Sequence, residues 1–272
     1  MATPSLLLLV ADGRFPAGAH AHSGGLEAAV AAGRVTDLAS LDAFLAGRLA
    51  TAGLVGAAFA AAAHRAAKLG GADVVEAAGP VDVVDADGSV TGGSATAGSA
   101  AGASVAGGSA SAGSAARSHM LAQLDVELDA RTASPTLRTI SRRQGRALLR
   151  AGRAIWPDAP FGDLPATSCG IHQPLVLGLL CAAAGLSRVD TATIAAYGTL
   201  TGAASAGVRL LGLDPYQVQA LLVGLADSCD RTAADAARAA DDPPERLPAA
   251  AAPLADIHAE IHATWEVRLF AS

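Results

Sequence analysis

Lysine is nearly absent: Lys68 stands alone against 18 arginines. No Gly-Lys-Ser/Thr triplet exists, so a P-loop is excluded. A Schiff-base lysine would have to be Lys68, in a polar stretch before Gly70-Gly71. Cysteine is scarce, with Cys169, Cys181 and Cys229 only. An odd, sparse set does not build a disulfide framework and points to a reducing compartment. Aromatics are 3% and charged residues 16%, the latter below the roughly 25% usual for soluble domains. The net charge of −6 does not suit a general nucleic-acid coat, yet the chain is too apolar to be disordered throughout. The run Leu6 to Ala11 has no basic residues before it and stops at Asp12, too short for a signal peptide. The longest charge-free apolar stretch, Leu49 to Ala63, is 15 residues, short of the ~18 needed to span a bilayer. These absences predict a soluble cytoplasmic protein, with neither membrane nor nucleic acid as partner.

Alanine is what the chain does have: 69 of 272 residues, about half of its 51% hydrophobic share. Alanine favours helix and disfavours strand, and the only strand-like run is Val81, Val83 and Val84. The spacing predicts an all-α fold. Leu26, Ala29 and Val30 followed by Gly33 read as a short helix with a glycine stop. Ser40 is a candidate cap for Leu41, Phe44, Leu45 and Leu49, and an alanine-rich helix follows over 54–68. Ser134-Pro135 is a cap with proline at the first helical position. The helix it opens carries Leu137, Ile140, Gln144, Leu148, Ala151 and Ile155 along one stripe and stops at Pro157. Helices over 172–185, 190–211, 214–240 and 254–267 complete the list. Gly178, Ala182 and Gly185, and later Gly202, Ala206 and Gly207, offer small faces for close helix packing.

The span 88–116 holds 8 Gly, 7 Ser and 10 Ala, a flexible composition with nothing to bury. By itself it is either a tether between 1–84 and 117–272 or a loop inserted in one domain.

Candidate chemistry is thin. His258 and His262 are four apart on a helix and can share a face, but neither zincin order is met, since Glu260 is out of place. They read as a surface pair. His20 and His22 lie in the glycine-rich run Gly18 to Gly25, where a metal clip, an anion nest or a helix cap with Ser23 ahead of Glu27 are all open, capping being favoured. A histidine-based metal site or metalloenzyme using His20, His22, His258 and His262 is the alternative function. No nucleophile elbow, Cys-x-x-Cys or dinucleotide fingerprint occurs. The sharpest charge feature is the helix after Pro135, with Arg138, Arg142, Arg143, Arg146, Arg150 and Arg153 and no acid before Asp158. It calls either for an acidic partner or for acids elsewhere in the fold.

Three segments together resemble the UreF family of urease accessory proteins. The first runs from Leu6-Leu7-Leu8-Leu9-Val10-Ala11-Asp12 through Phe15-Pro16-Ala17-Gly18 to His22-Ser23-Gly24-Gly25-Leu26-Glu27. The second is Ser141-Arg142-Arg143-Gln144-Gly145-Arg146, and the third is Arg268-Leu269-Phe270-Ala271-Ser272. His172-Gln173-Pro174 and Arg209-Leu210-Leu211 fit supporting positions. The resemblance implies a bundle-like, all-helical single domain over 1–272, with 85–117 as a disordered insertion. It implies a non-enzymatic chaperone with no catalytic residues, no resident metal and no cofactor, nickel being the cargo. It further implies a homodimer that binds UreD (also called UreH), the GTPase UreG and apo-urease. The residues it points to for partner binding are His22, Ser23, Gly25, Glu27, Arg142, Arg143, Gln144, Gly145, Arg268, Leu269, Phe270 and Ser272. Glu27, with His22 and Ser23, is expected to shape a surface read by the GTPase, and 268–272 to dock on folding or on UreD.

Overall fold

The computed structural model describes residues 4–13, 15, 22–69 and 102–270. Among them the architecture is all-α with no strand. The helices are α1 (Pro4–Ala11), α2 (Leu26–Ala31), α3 (Leu38–Arg48), α4 (Leu54–Ala67), α5 (Gly102–Arg131), α6 (Pro135–Ile155), α7 (Gln173–Ala183), α8 (Arg188–Leu211), α9 (Pro215–Gly224), α10 (Ala226–Ala239) and α11 (Pro253–Ala263). Val81, Val83, Val84 and the span 85–101 lie outside the described residues.

The centre of the molecule is α4, which packs against α7, α8, α10 and α5. Ten of its 14 residues are buried, all but three of them alanine. A helix clothed in methyl groups is a thin cylinder that neighbours can approach closely from several sides. On α7 the approach is so close that a Cβ at Gly178 would sit 2.3 Å from the Ala60 carbonyl oxygen. Gly207 on α8 faces Leu41 in the same way, at 2.9 Å. Gly185, by contrast, ends α7 with a positive φ of 71°, serving as a turn and not as a packing face.

Several boundaries differ from those the sequence suggests. Asp37, not Ser40, caps α3: its carboxylate accepts from Ser40 N at 2.8 Å, and the Ser40 hydroxyl returns the bond to the backbone. A π-turn over Leu49–Gly53 joins α3 to α4. The resulting 30 helical residues, Leu38–Ala67, are long and apolar enough to cross a membrane, more than the 15-residue stretch counted from the sequence. Their α4 half forms the core instead. The single helix expected over 214–240 is two, broken at Leu225 between α9 and α10. The last helix ends at Ala263, not Val267. Of the span 85–117 expected as an insertion, residues 102–117 are helical and form the first half of α5. That half is anchored where Ser114 donates to Asp163 at 2.7 Å and Arg117 forms an ion pair with Asp163 and donates to the Leu69 carbonyl at 2.7 Å.

Candidate functional site

Helix α2 follows two consecutive residues with positive φ, Gly24 at 62° and Gly25 at 87°, a conformation that a side chain strains. The turn directs the first helical turn inward, so that Ser23 and Glu27 are both buried. The Ser23 hydroxyl accepts from Glu27 N at 3.3 Å, although the N-cap of α2 is Gly25, with no side-chain cap, and not Ser23 as the capping reading expected. The Glu27 carboxylate then reaches the other end of the chain. Its Oε1 accepts from Leu269 N and its Oε2 from Phe270 N, both at 2.9 Å, and His262 Nε2 donates to Oε2 at 3.1 Å. Three donors converge on one carboxylate that is 8% exposed. Charge-assisted bonds of this kind are worth about 1.5–3 kcal/mol each.

The clamp sets what the tail buries and what it shows. Phe270 enters the core at 7% exposure, with the Arg209 guanidinium 5.8 Å from its ring centroid. Leu269 and Val267 remain 74% and 83% exposed. Arg268 is exposed, and Ser272 lies outside the described residues. The His262 ring lies 4.7 Å from that of Trp265. His258 is half-buried, so the surface histidine pair expected from the sequence is corrected: His262 is buried at 1% exposure and committed to Glu27. His22 is half-buried and His20 lies outside the described residues.

A second cluster forms around α6. The Arg142 guanidinium binds Asp125 at 3.0 Å, Asp129 at 2.8 Å and the Gly170 carbonyl at 2.6 Å. The wholly buried His172 donates from Nε2 to Asp129 at 3.0 Å and accepts at Nδ1 from the Ser141 hydroxyl, also at 3.0 Å. Ser141 Oγ in turn accepts from Gln173 N at 3.3 Å. Burial, then the Arg142 charge, holds the His172 imidazole below its ordinary pKa, which suits this neutral arrangement. Burial works against the ionised Asp129, yet hydrogen bonds from Arg142 and His172 outweigh it and lower its pKa. Serine, histidine and aspartate here stand in the order of a hydrolytic triad. The imidazole has no exposed surface, however, and the hydroxyl is bonded on both sides, so the chain of bonds ties α6 to α5 and the start of α7.

Gly145 serves the same junction. A Cβ there would lie 2.0 Å from the Ile171 carbonyl oxygen, so only glycine lets the 170–173 loop lie on the helix. Gly152 likewise admits the Phe161 ring. The packed face of α6 is therefore Ser141, Gly145, Leu148 and Gly152, rather than the expected stripe ending at Ile155, which is 48% exposed. Arg142 and Gly145 face inward, Gln144 is half-buried and Arg143 is exposed. The sequence reading missed Asp125, Asp129 and the inward role of His262. The one available signal was the i, i+4 spacing of the two aspartates ahead of an arginine-rich helix.

The segments singled out in the sequence thus pair with one another. The N-terminal signature meets the terminal Leu269-Phe270, with Arg209 over the Phe270 ring, while the Ser141–Gly145 block meets His172-Gln173. Among the described residues, no group of three or more His, Cys, Asp or Glu side chains is placed to hold a metal ion.

The family model described as UreF matches residues 35–226. The chain is 38% identical over 272 residues to the urease accessory protein UreF of Mycobacterium sp. (strain JLS), covering all of both chains. It is 36% identical to the protein of the same name from Mycolicibacterium vanbaalenii, again over the whole of both. A Mycobacterium tuberculosis relative (strain ATCC 25618 / H37Rv), also named urease accessory protein UreF, is 36% identical over 236 residues, 87% of this chain and 86% of that one.

Proposed function

The chain belongs to the UreF family of urease accessory proteins, and on that premise we propose that it is a non-enzymatic chaperone of nickel insertion. It acts in the cytoplasm with UreD and the GTPase UreG on apo-urease, with nickel as cargo of the complex. The family itself implies a role in urease maturation, and the proposal adds the named partners and the nickel step.

The observation that supports it best is the apolar surface associated with the Glu27 clamp. Leu254, Ile257 and Ile261 are 45%, 56% and 52% exposed on α11. Their i, i+3, i+7 spacing makes one stripe, and the exposed Val267 and Leu269 follow it in the chain. Exposed apolar side chains lined up in this way mark interaction sites. We assign this stripe and the tail to UreD. Removing residues 268–272, or changing Leu269→Asp, is expected to weaken UreD capture in pull-down; undiminished capture would sink the assignment. Ser23 and Glu27 shape the partner-facing surface through the tail they hold, and His22 and Gly25 through the turn before α2. Glu27→Ala is expected to lower GTPase-coupled urease activation, and unchanged activation rejects that role. Among the exposed residues of the α6 block, Arg143 is assigned to partner contact.

The α9 helix supports a homodimer. It contains no charged residue and exposes Tyr216 at 85% and Val223 at 75%. Light scattering on the purified chain should give twice the monomer mass, and Val223→Glu should halve it. Co-expression with UreD and UreG, followed by gel filtration, tests the whole reading: an intact complex is expected.

A further inference from the structure

The arginines of α6 divide into two sets. Arg138 and Arg142 turn inward, Arg138 donating to the Thr132 and Ala133 carbonyls at 2.6 and 3.0 Å. Arg143, Arg146, Arg150 and Arg153 are all exposed. At 3.6 residues per turn they fall within an arc of about 80° and run for about 15 Å along the axis. Arg146 donates to the Cys169 carbonyl. Arg143, Arg150 and Arg153 make no hydrogen bond or ion pair with the described residues, and α6 contains no acid. Like charges at these spacings repel one another, and no ion pair among the described residues neutralises them.

We propose that this stripe is the docking surface for an acidic helix of a protein partner. A helix bearing carboxylates at i, i+3, i+7 and i+10 repeats the intervals between the four guanidinium groups, about 4.5, 6 and 4.5 Å in rise. Each carboxylate then meets a planar fork suited to paired hydrogen bonds. Nucleic acid fits less well. The whole chain carries −6, and four of its positive charges sit on this stripe, so the surroundings are more acidic still. A long polyanion would run beyond the 15 Å stripe into that negative field, whereas a short acidic helix ends where the stripe ends. The proposal goes beyond the urease-maturation reading and does not depend on which partner supplies the helix.

The test uses the full chain and two fluorescent probes in anisotropy titrations. One is an alanine-based helical peptide with glutamates at i, i+3, i+7 and i+10; the other is a DNA duplex of roughly 20 base pairs, each at about 50 and 150 mM salt. The peptide is expected to bind, more weakly at the higher salt. The variant Arg143→Ala/Arg150→Ala/Arg153→Ala should bind it about tenfold less tightly. Because those three side chains are exposed and their mutual repulsion is removed, circular dichroism should be unchanged and the thermal midpoint no lower. Arg146 is left in place because it holds the 169 loop. Absence of peptide binding, equal binding by the variant, or tighter binding of the duplex would each overturn the proposal.

Discussion

Glu27→Gln keeps the side chain's shape but puts an amide N–H₂ against donors that now meet carboxylate oxygen. Two backbone N–H groups and an imidazole compete for one remaining oxygen, so the expected cost is about 2–3 kcal/mol. Chemical denaturation should show it as a lower midpoint, and hydrogen exchange at Leu269 and Phe270 should quicken. Normal protection of those amides in the variant would contradict the clamp. Gly145→Ala places a methyl group where the Ile171 carbonyl oxygen lies, 2.0 Å away, and is expected to cost about 1–3 kcal/mol by overpacking. The cysteines are ranked by burial: it pushes the Cys181 thiol up to about 12 and the Cys229 thiol up to about 11, while Cys169 is exposed. One fast alkylation per folded chain is expected, at Cys169 by peptide mapping. At this scale the sequence displayed the identity of Glu27, Gly145 and Arg142 but not their direction. Being inside or outside depends on partners far along the chain: Glu27 and Phe270 are 243 positions apart.

Elements were the most legible layer, because caps and apolar spacing are local. Ser134-Pro135, the glycine after α2 and the alanine-rich α4 are where the pattern placed them. The misreadings arose where tertiary contacts decide. Residues 102–116 are mostly alanine, glycine and serine, yet they are helical, and Ser114 and Arg117 tie that half of α5 to Asp163 and the Leu69 carbonyl. The packed face of α6 is set by which glycines admit a neighbour, not by where its leucines lie. The junction of α5, α6 and α7 gives a pH prediction. The folded pKa of His172 lies below its ordinary 6.5 through burial and then Arg142, and burial also lowers that of His64. As pH falls through 6.5 the unfolded chain takes up protons that the folded chain refuses, so stability falls. Asp129, also lowered, adds a further loss below its ordinary 3.8. The thermal midpoint should be level above pH 7 and decline from about pH 6.5 downward, and His172→Gln should flatten the upper part of that decline. A midpoint that stays level from pH 7 to 5 would count against the neutral, buried imidazole.

Across the whole molecule, the all-α class was legible from alanine content together with helical spacing and caps, and the family from three short segments. What the sequence could not display was that those segments pair with one another, closing the two ends of the fold. A chain ended at residue 267 should keep its helix content but lose the burial of Phe270, worth about 1.5–3 kcal/mol, and leave Glu27 facing no backbone donors. At about 2–4 °C per kcal/mol for a protein of this size, the thermal midpoint should drop by several degrees. An unchanged midpoint would mean that the tail is not part of the fold. The same closure bears on synthesis. Glu27 is made early, and its donors at Leu269 and Phe270 come 242 and 243 positions later. At roughly 5–20 residues per second, the carboxylate waits about 10–50 s for the groups that let it be buried. Until then burial of the Glu27 carboxylate has no backbone donors to offset it, so α2 is expected to settle only once the 269–270 segment has docked.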